Sequence, residues 1–209
     1  MKRIRCLMLD LGGVLTQDQN ADKADEMMGL LGAGEKASFL SAYWKHRLDY
    51  DRGVADHAVY WRRIAADLGL SFPERALSDI VRADLQSWFT MRGRMLDFLG
   101  GVQGRVKSLV LLSNINPDGA RFVRSQENRG WASYFDELIL SCEHRLLKPE
   151  PEIYELALDA AGALPGETLF VDDNPDNVEG ARRAGLSSFR FVDEEDFEAR
   201  LKREYEFTR

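Results

Sequence analysis

The sequence predicts an α/β protein, a doubly wound parallel sheet with a helical insertion after its first strand. Three observations carry this. Short strand-length runs recur at residues 4–9, 108–112, 137–141, 168–171 and 187–192, and the first of them lacks polar alternation, as strands buried on both faces do. Helix-spaced segments lie between the later runs, the rhythm of parallel crossovers. About a hundred residues separate the first two runs, where a simple crossover needs a dozen or so.

Taken in order, the first run ends on Asp10, followed by Leu11-Gly12-Gly13. In open α/β sheets ligands sit beyond the carboxyl ends of the strands, and paired glycines let the backbone turn sharply and approach what the carboxylate holds. An Asp capping the next turn fits the same residues equally well. The insertion then reads as four helices. Ala24, Met27, Met28 and Leu31 fall at helical spacing and are ended by Gly32 and Gly34; Phe39, Leu40, Tyr43, Trp44 and Leu48 form a second stripe. Asp56 caps a third with Val59, Tyr60 and Ile64 inward and Gly69 past its end, and Pro73 opens a fourth containing Leu77, Ile80, Val81, Leu85 and Trp88. Residues 17–90 are therefore expected to form a helical cap, and residues 1–16 with 91–209 the core.

A helix over 92–99 leads into the second strand, which ends at Ser113-Asn114; a short helix over 118–128 precedes the third strand. Lys148-Pro149 opens a segment whose helix carries Ile153, Leu156, Ala157 and Ala160, and the fourth strand ends on Asp172-Asp173. Asn174 as N-cap, Pro175 at the first helical position and Gly185 as terminator frame the next helix. The fifth strand is followed by a C-terminal helix whose acidic start, Asp193 to Asp196, suits the helix dipole.

With 209 residues, 44% of them hydrophobic and 30% charged, the composition is that of a soluble globular protein. A formal charge of −7 argues against a nucleic-acid partner. No apolar run approaches bilayer length and no basic-then-apolar leader opens the chain, so no membrane association and a cytoplasmic location are expected. Cys6 and Cys142, far apart, read as free thiols of a reducing compartment. Oligomeric state is not encoded in any of these patterns.

The strand ends and one loop bring Asp10, Ser113-Asn114, Lys148 and Asp172-Asp173 to one sheet edge, with Asn177 one helical turn on. Three crowded carboxylates repel one another and call for a hard cation such as Mg2+. A carboxylate can also be a nucleophile, and Ser113 and Lys148 can hold phosphoryl oxygens. Elsewhere the bland assignments prevail. His46 and Tyr50 are expected on the cap surface, His57 and His144 on the surface, and Trp44, Trp61 and Trp88 in the cap core. Asp18 is a weaker candidate proton acceptor.

Four stretches, hydrophobic-Asp-x-Gly-Gly-Val, Leu-Leu-Ser-Asn, Lys-Pro-x-Pro-x-Ile-Tyr and Val-Asp-Asp-Asn-x-x-Asn-x-x-Gly-Ala, occur here in this order. They resemble the four motifs of the haloacid dehalogenase superfamily of phosphohydrolases, and the resemblance spans essentially the whole chain. It implies a Rossmann-like core, with a helical cap (C1 type) between the first and second motifs. It implies that Asp10 attacks phosphorus and becomes an aspartyl-phosphate, and that Asp10, the Gly12 carbonyl and Asp173 ligate Mg2+. It further implies that Asp172 orients Lys148, that Asn177 supports the metal site, and that Ser113, Asn114 and Lys148 hold the phosphoryl group. One position departs from the pattern: Gly12 stands where most phosphatases of the superfamily carry a second Asp as general acid and base. Such a group contributes ~10²–10⁴-fold in rate, and its loss hurts least with good leaving groups. A bacterial branch acting on sugar-1-phosphates shares this opening. The expectation is a Mg2+-dependent phosphatase of a small phosphorylated metabolite, a sugar phosphate by preference. The alternatives are a catalytically weak binding or regulatory protein and, ranked lower, a haloacid dehalogenase. Dehalogenases also lack the second Asp, but they need no metal and lack the paired Asp of the last motif.

Overall fold

In chain order the strands are β1 (Lys2–Ile4), β2 (Cys6–Leu9), β3 (Ser108–Ser113), β4 (Glu137–Leu140), β5 (Thr168–Asp172), β6 (Ser187–Arg190) and β7 (Tyr205–Phe207), as seen in a computed structural model that describes residues 1–209. The helices are α1 (Ala21–Leu31), α2 (Lys36–Asp51), α3 (His57–Asp67), α4 (Leu77–Trp88), α5 (Gly93–Val102), α6 (Pro117–Val123), α7 (Arg129–Ala132), α8 (Ser141–His144), α9 (Pro151–Ala161), α10 (Pro175–Arg183) and α11 (Glu194–Glu204).

Five strands form a wholly parallel sheet in the order β4-β3-β2-β5-β6. The chain winds outward from β2 through β3 to β4, then returns to the other side of β2 for β5 and β6. The order therefore reverses between β2 and β5, where open α/β sheets leave a crevice. Leu9 is level with Leu111 on one side and Val171 on the other, so Asp10 emerges beside the last residues of β3 and β5. Because side chains alternate along a strand, one apolar run feeds two cores. Leu7, Leu9, Leu109, Leu111, Leu169 and Val171 join the cluster containing Met95, Leu99 and Phe197, whereas Cys6, Met8, Val110, Leu112 and Phe170 join Ile153, Tyr154 and Ala181 on the opposite face.

Helices α1 to α4 bury a separate cluster, including Met27, Phe39, Tyr43, Tyr60, Trp61 and Ile80, to which no residue outside the insertion contributes. Two straps lead into and out of this unit and pair with each other. Thr16 bridges Met91 antiparallel, Gln17 N–H donates to the Thr90 carbonyl (2.8 Å), Arg92 N–H to Leu15 (2.8 Å) and Asn20 N–H to Ser87 (2.8 Å).

Several details differ from the sequence expectations. In α2 the buried side is Phe39, Ala42, Tyr43, Arg47 and Tyr50, while Trp44 and Leu48 are exposed, because the inward face carries an arginine that a hydrophobic stripe passes over. Val59 also points partly outward, its place taken by Trp61. The helix expected over 118–128 stops at Val123, and the fifth sheet strand at Arg190. Ser141 starts α8 rather than ending β4. The small parallel pair of β1 with β7 lies outside the main sheet and has no apolar pattern to announce it.

Candidate active site

Asp10 follows β2 directly, and its Oδ1 accepts the Leu11 N–H (2.7 Å), so it does cap the turn that follows. That turn, residues 11–15, is one wide loop closed by Thr16 N–H onto the Leu11 carbonyl (2.9 Å). Gly13 sits within it at φ +70°, and a Cβ there would lie 2.6 Å from the Asp173 carboxylate. Only glycine lets this turn pack against Asp173.

Lys148 is the hub. Its side chain is 1% exposed, and Nζ lies 2.8 Å from Asp10 Oδ1 and 2.6 Å from Asp172 Oδ2 while donating to the Leu112 carbonyl at 2.9 Å. Asn114 fixes the backbone of Lys148 reciprocally: Nδ2 donates to the Lys148 carbonyl (2.9 Å) and Oδ1 accepts the Lys148 N–H (2.8 Å). The Asn114 amide is therefore engaged, and what this residue can offer an oxyanion is main chain. Asn177 Nδ2 donates to both Asp172 oxygens (3.1 Å each), and the Asn174 N–H to Asp172 Oδ1 (2.8 Å). Ser113, buried at the end of β3, faces the cavity, and its hydroxyl makes no hydrogen bond within the protein.

One carboxylate oxygen from each of Asp10, Asp172 and Asp173 lies within 4.8 Å of the others, an all-oxygen donor set suited to a hard divalent cation. Lys148, Asn174 and Asn177 occupy the Asp172 oxygens, whereas Asp10 and Asp173 face the cavity and are the carboxylates free to hold an ion. Burial, reinforced by Asp172, pushes the Asp10 carboxyl up to about 7, with Lys148 pulling the other way. Burial and then Asp172 raise Asp173 as well. For Lys148 burial works against the charge, yet Asp10 and Asp172 outweigh it and hold the ammonium above its ordinary range. The excess of buried negative charge is what a bound cation would relieve.

Above these groups opens a cavity of about 510 Å³, floored by Asp10, Gly12, Ser113 and Asp173 and roofed by Trp44, Arg47, Asp51, Asp84 and Trp88 from the helical insertion. The chain matches the haloacid dehalogenase-like hydrolase family over residues 4–185. It belongs to that family.

Within it, this hydrolase is 28% identical over 192 residues to D-ribitol-5-phosphate phosphatase of Bacteroides thetaiotaomicron, a match covering 90% of this chain and 91% of the relative. It is 36% identical over 202 residues to (S)-2-haloacid dehalogenase of Xanthobacter autotrophicus, covering 90% of this chain and 74% of that one. Among solved structures, a haloacid dehalogenase family enzyme of Bacteroides thetaiotaomicron in complex with magnesium and inorganic phosphate superposes with a TM-score of 0.73 at 26% identity, covering 94% of this chain and 98% of the other. No helix of the hydrolase is long and apolar enough to cross a membrane.

Several residues of the hydrolase, most of them in the insertion, lie elsewhere than the sequence suggested. Tyr50 is buried, and its hydroxyl donates to Asp118 at the start of α6, which also meets His57 Nδ1 at 3.1 Å; neither residue is idle surface. His46 is bound to Asp67 (2.8 Å) away from the cavity, and His144 is exposed. Trp61 is buried in the core of the insertion, but Trp44 and Trp88 line the cavity edge-to-face at 6.0 Å. Asp18 also lines the cavity. Sequence reasoning missed the roof altogether: Arg47 Nε binds Asp51 Oδ1 at 2.9 Å, its Nη1 reaches Asp84 at 3.4 Å, and the Tyr43 hydroxyl donates to Asp84 at 2.6 Å. The available signal was the i,i+4 spacing of Arg47 and Asp51 on one helix.

Proposed function

We propose that the protein is a Mg2+-dependent phosphatase of a small phosphorylated metabolite, a sugar phosphate by preference, acting through an aspartyl-phosphate on Asp10. The observation that carries this is the convergence of Asp10 and Asp173 on one cavity, with Lys148 held between Asp10 and Asp172. The likeness to a sugar-alcohol phosphate phosphatase, and to a structure holding magnesium and phosphate, supports it.

Asp10 attacks phosphorus; an Oδ–P bond forms as the bond to the leaving oxygen breaks, and water then hydrolyses the acyl phosphate. Mg2+, held by Asp10, Asp173 and the Gly12 carbonyl, supplies positive charge against the phosphoryl oxygens. Lys148, the Ser113 hydroxyl and the main chain at Asn114 position the phosphoryl group, while Asp172 and Asn177 keep Lys148 and the carboxylates in place. Residues 17–90 act as a cap over the core formed by 1–16 and 91–209, closing the cavity against water in the first step. With Gly12 in place of an acid–base carboxylate, anomeric or acyl phosphates are favoured over ordinary alkoxide esters, as in the sugar-1-phosphate branch.

The dehalogenase likeness is a specific observation for displacement at carbon by the same Asp10. The acidic convergence around Asp10 favours the phosphatase, because a carboxylate attacking carbon needs no cation. One experiment separates these. Phosphate release is measured from sugar-1-phosphates, sugar-5- and 6-phosphates and acetyl phosphate with Mg2+ and with chelator, alongside chloride release from (S)-2-chloropropionate. Metal-dependent phosphate release that disappears in Asp10→Asn is expected. Chloride release without phosphate release would overturn the proposal, and release of neither from folded protein would leave a binding or regulatory role.

A further inference from the structure

Arg47 is the one cationic side chain in the roof of the cavity, and its charge is already matched by carboxylates. Its Nε binds both oxygens of Asp51 (2.9 and 3.1 Å), its Nη1 lies 3.4 Å from both oxygens of Asp84, and its guanidinium packs against the ring of Trp88 at 5.6 Å. The Arg47 side chain is 9% exposed and that of Asp84 is 4% exposed, so water screens the group little. One guanidinium therefore stands against two carboxylates, and the roof is net negative. Burial, only partly offset by Arg47, pushes Asp51 up to about 6, which leaves it ionised in neutral and mildly alkaline solution. Asp18, which also lines the cavity, adds charge of the same sign.

Resting on the phosphatase assignment above, we propose that the Arg47–Asp51–Asp84 roof is a charge filter on the leaving group. It accepts phosphate esters whose leaving group is uncharged and hydroxylated, and it rejects those carrying a second anion such as a carboxylate or another phosphate. Hydroxyls can donate to the lone pairs of the Asp51 and Asp84 oxygens that Arg47 and Tyr43 leave open, and the carbon skeleton can lie against Trp44 and Trp88. A second anion meets a guanidinium already outnumbered by carboxylates, and so net like charge in a poorly screened cavity, the arrangement by which sites exclude wrong partners.

The test uses matched pairs of esters that differ by one carboxylate: glucose-1-phosphate against glucuronic acid-1-phosphate, and ribitol-5-phosphate against ribonic acid-5-phosphate, at pH 8 with Mg2+. The expected result is a preference of roughly 100-fold in kcat/KM for the uncharged member of a pair. Asp84→Asn and Asp51→Asn should each narrow that ratio about tenfold and raise the absolute rate on the carboxylated ester by freeing Arg47, a gain that loss of folding cannot mimic. A wild-type ratio near one, or variants that turn over both esters at the wild-type ratio, would overturn the filter. Acetyl phosphate, which has no hydroxylated leaving group for the roof to inspect, keeps the two claims apart. If it is hydrolysed while the pairs are not discriminated, the filter falls and the phosphatase stands; if neither it nor any ester is hydrolysed, both fall.

Discussion

Replacing Lys148 by Met tests the electrostatics of the site without reference to any substrate. Met keeps the length and apolar bulk of the stem but removes an ammonium lodged between Asp10 at 2.8 Å and Asp172 at 2.6 Å, and it takes the donor from the Leu112 carbonyl. Breaking a buried ion pair by deleting one partner costs about 3–5 kcal/mol, because the remaining charge is left uncompensated. For a chain of this size that corresponds to a fall in Tm of about 6–20 °C. The pH dependence has a definite sign. Burial and Asp172 already raise Asp10 to about 7 in the presence of Lys148, and without the ammonium its carboxyl binds a proton more tightly still. A carboxyl raised in the folded state contributes its stability at low pH and loses it as pH rises through the folded value. The stability gap between wild type and Lys148→Met should therefore be smaller at pH 5, where only Asp172 is left uncompensated, and widen towards pH 8. Lys148 itself is raised and stays charged throughout this window, so it adds no opposing slope. Urea unfolding in chelator at both pH values reads the gap directly. A gap under about 1 kcal/mol at pH 8, or one larger at pH 5 than at pH 8, would refute the electrostatic account of the site.

Three further outcomes follow from local geometry. Gly13→Ala combines a Cβ 2.6 Å from the Asp173 carboxylate with a φ of +70°, so it should destabilise by at least about 1–2 kcal/mol and abolish the rise in Tm on adding Mg2+, as thermal unfolding with and without the ion will show. At Gly12 a Cβ would touch only the Trp88 ring, 3.9 Å away, so Gly12→Asp fits and should raise kcat/KM on alkoxide esters by up to ~10²-fold while changing acetyl phosphate turnover far less; equal effects on both would show that leaving-group protonation is not what the site lacks. Tyr50→Phe removes the hydroxyl donated to buried Asp118 and should cost about 1–2 kcal/mol by urea unfolding, with no change in the charge selectivity of the cavity roof.

The core was legible because each strand near its centre is apolar to its last residue and then stops on a side chain with chemistry. Asp10, Ser113 and Asp172 could be placed on one edge from that pattern alone, and Asn174-Pro175 announced the helix that brings Asn177 back to Asp172. The insertion was legible as helices but not as a surface. Hydrophobic periodicity locates the side that avoids water, and in α2 that side carries Arg47, buried because Asp51 on its own helix and Asp84 on α4 neutralise it. The i,i+4 spacing of Arg47 and Asp51 marks a pair, but such pairs are as common on solvated helix faces, so it does not tell a buried arginine from an exposed one. The same holds for Tyr50, whose partner Asp118 lies on the far side of the insertion, and for Trp44, which the stripe assigned to the core although it lines a cavity. Each depends on how the insertion docks, a long-range property with no short-range trace. The β1–β7 pair escaped for a related reason: three-residue strands rich in charge resemble chain ends.

The straps at residues 16–20 and 87–92 run side by side, tied by backbone hydrogen bonds from Gln17 to Thr90 and from Arg92 to Leu15. To the sheet, everything between them is a loop whose two ends are already held together. Evolution or an engineer can exchange that loop for one of another length without altering strand order or moving Asp10. The residues of the floor and those of the roof can then be inherited separately, and a single core can supply hydrolases that share a set of strand-end side chains and differ in what covers them.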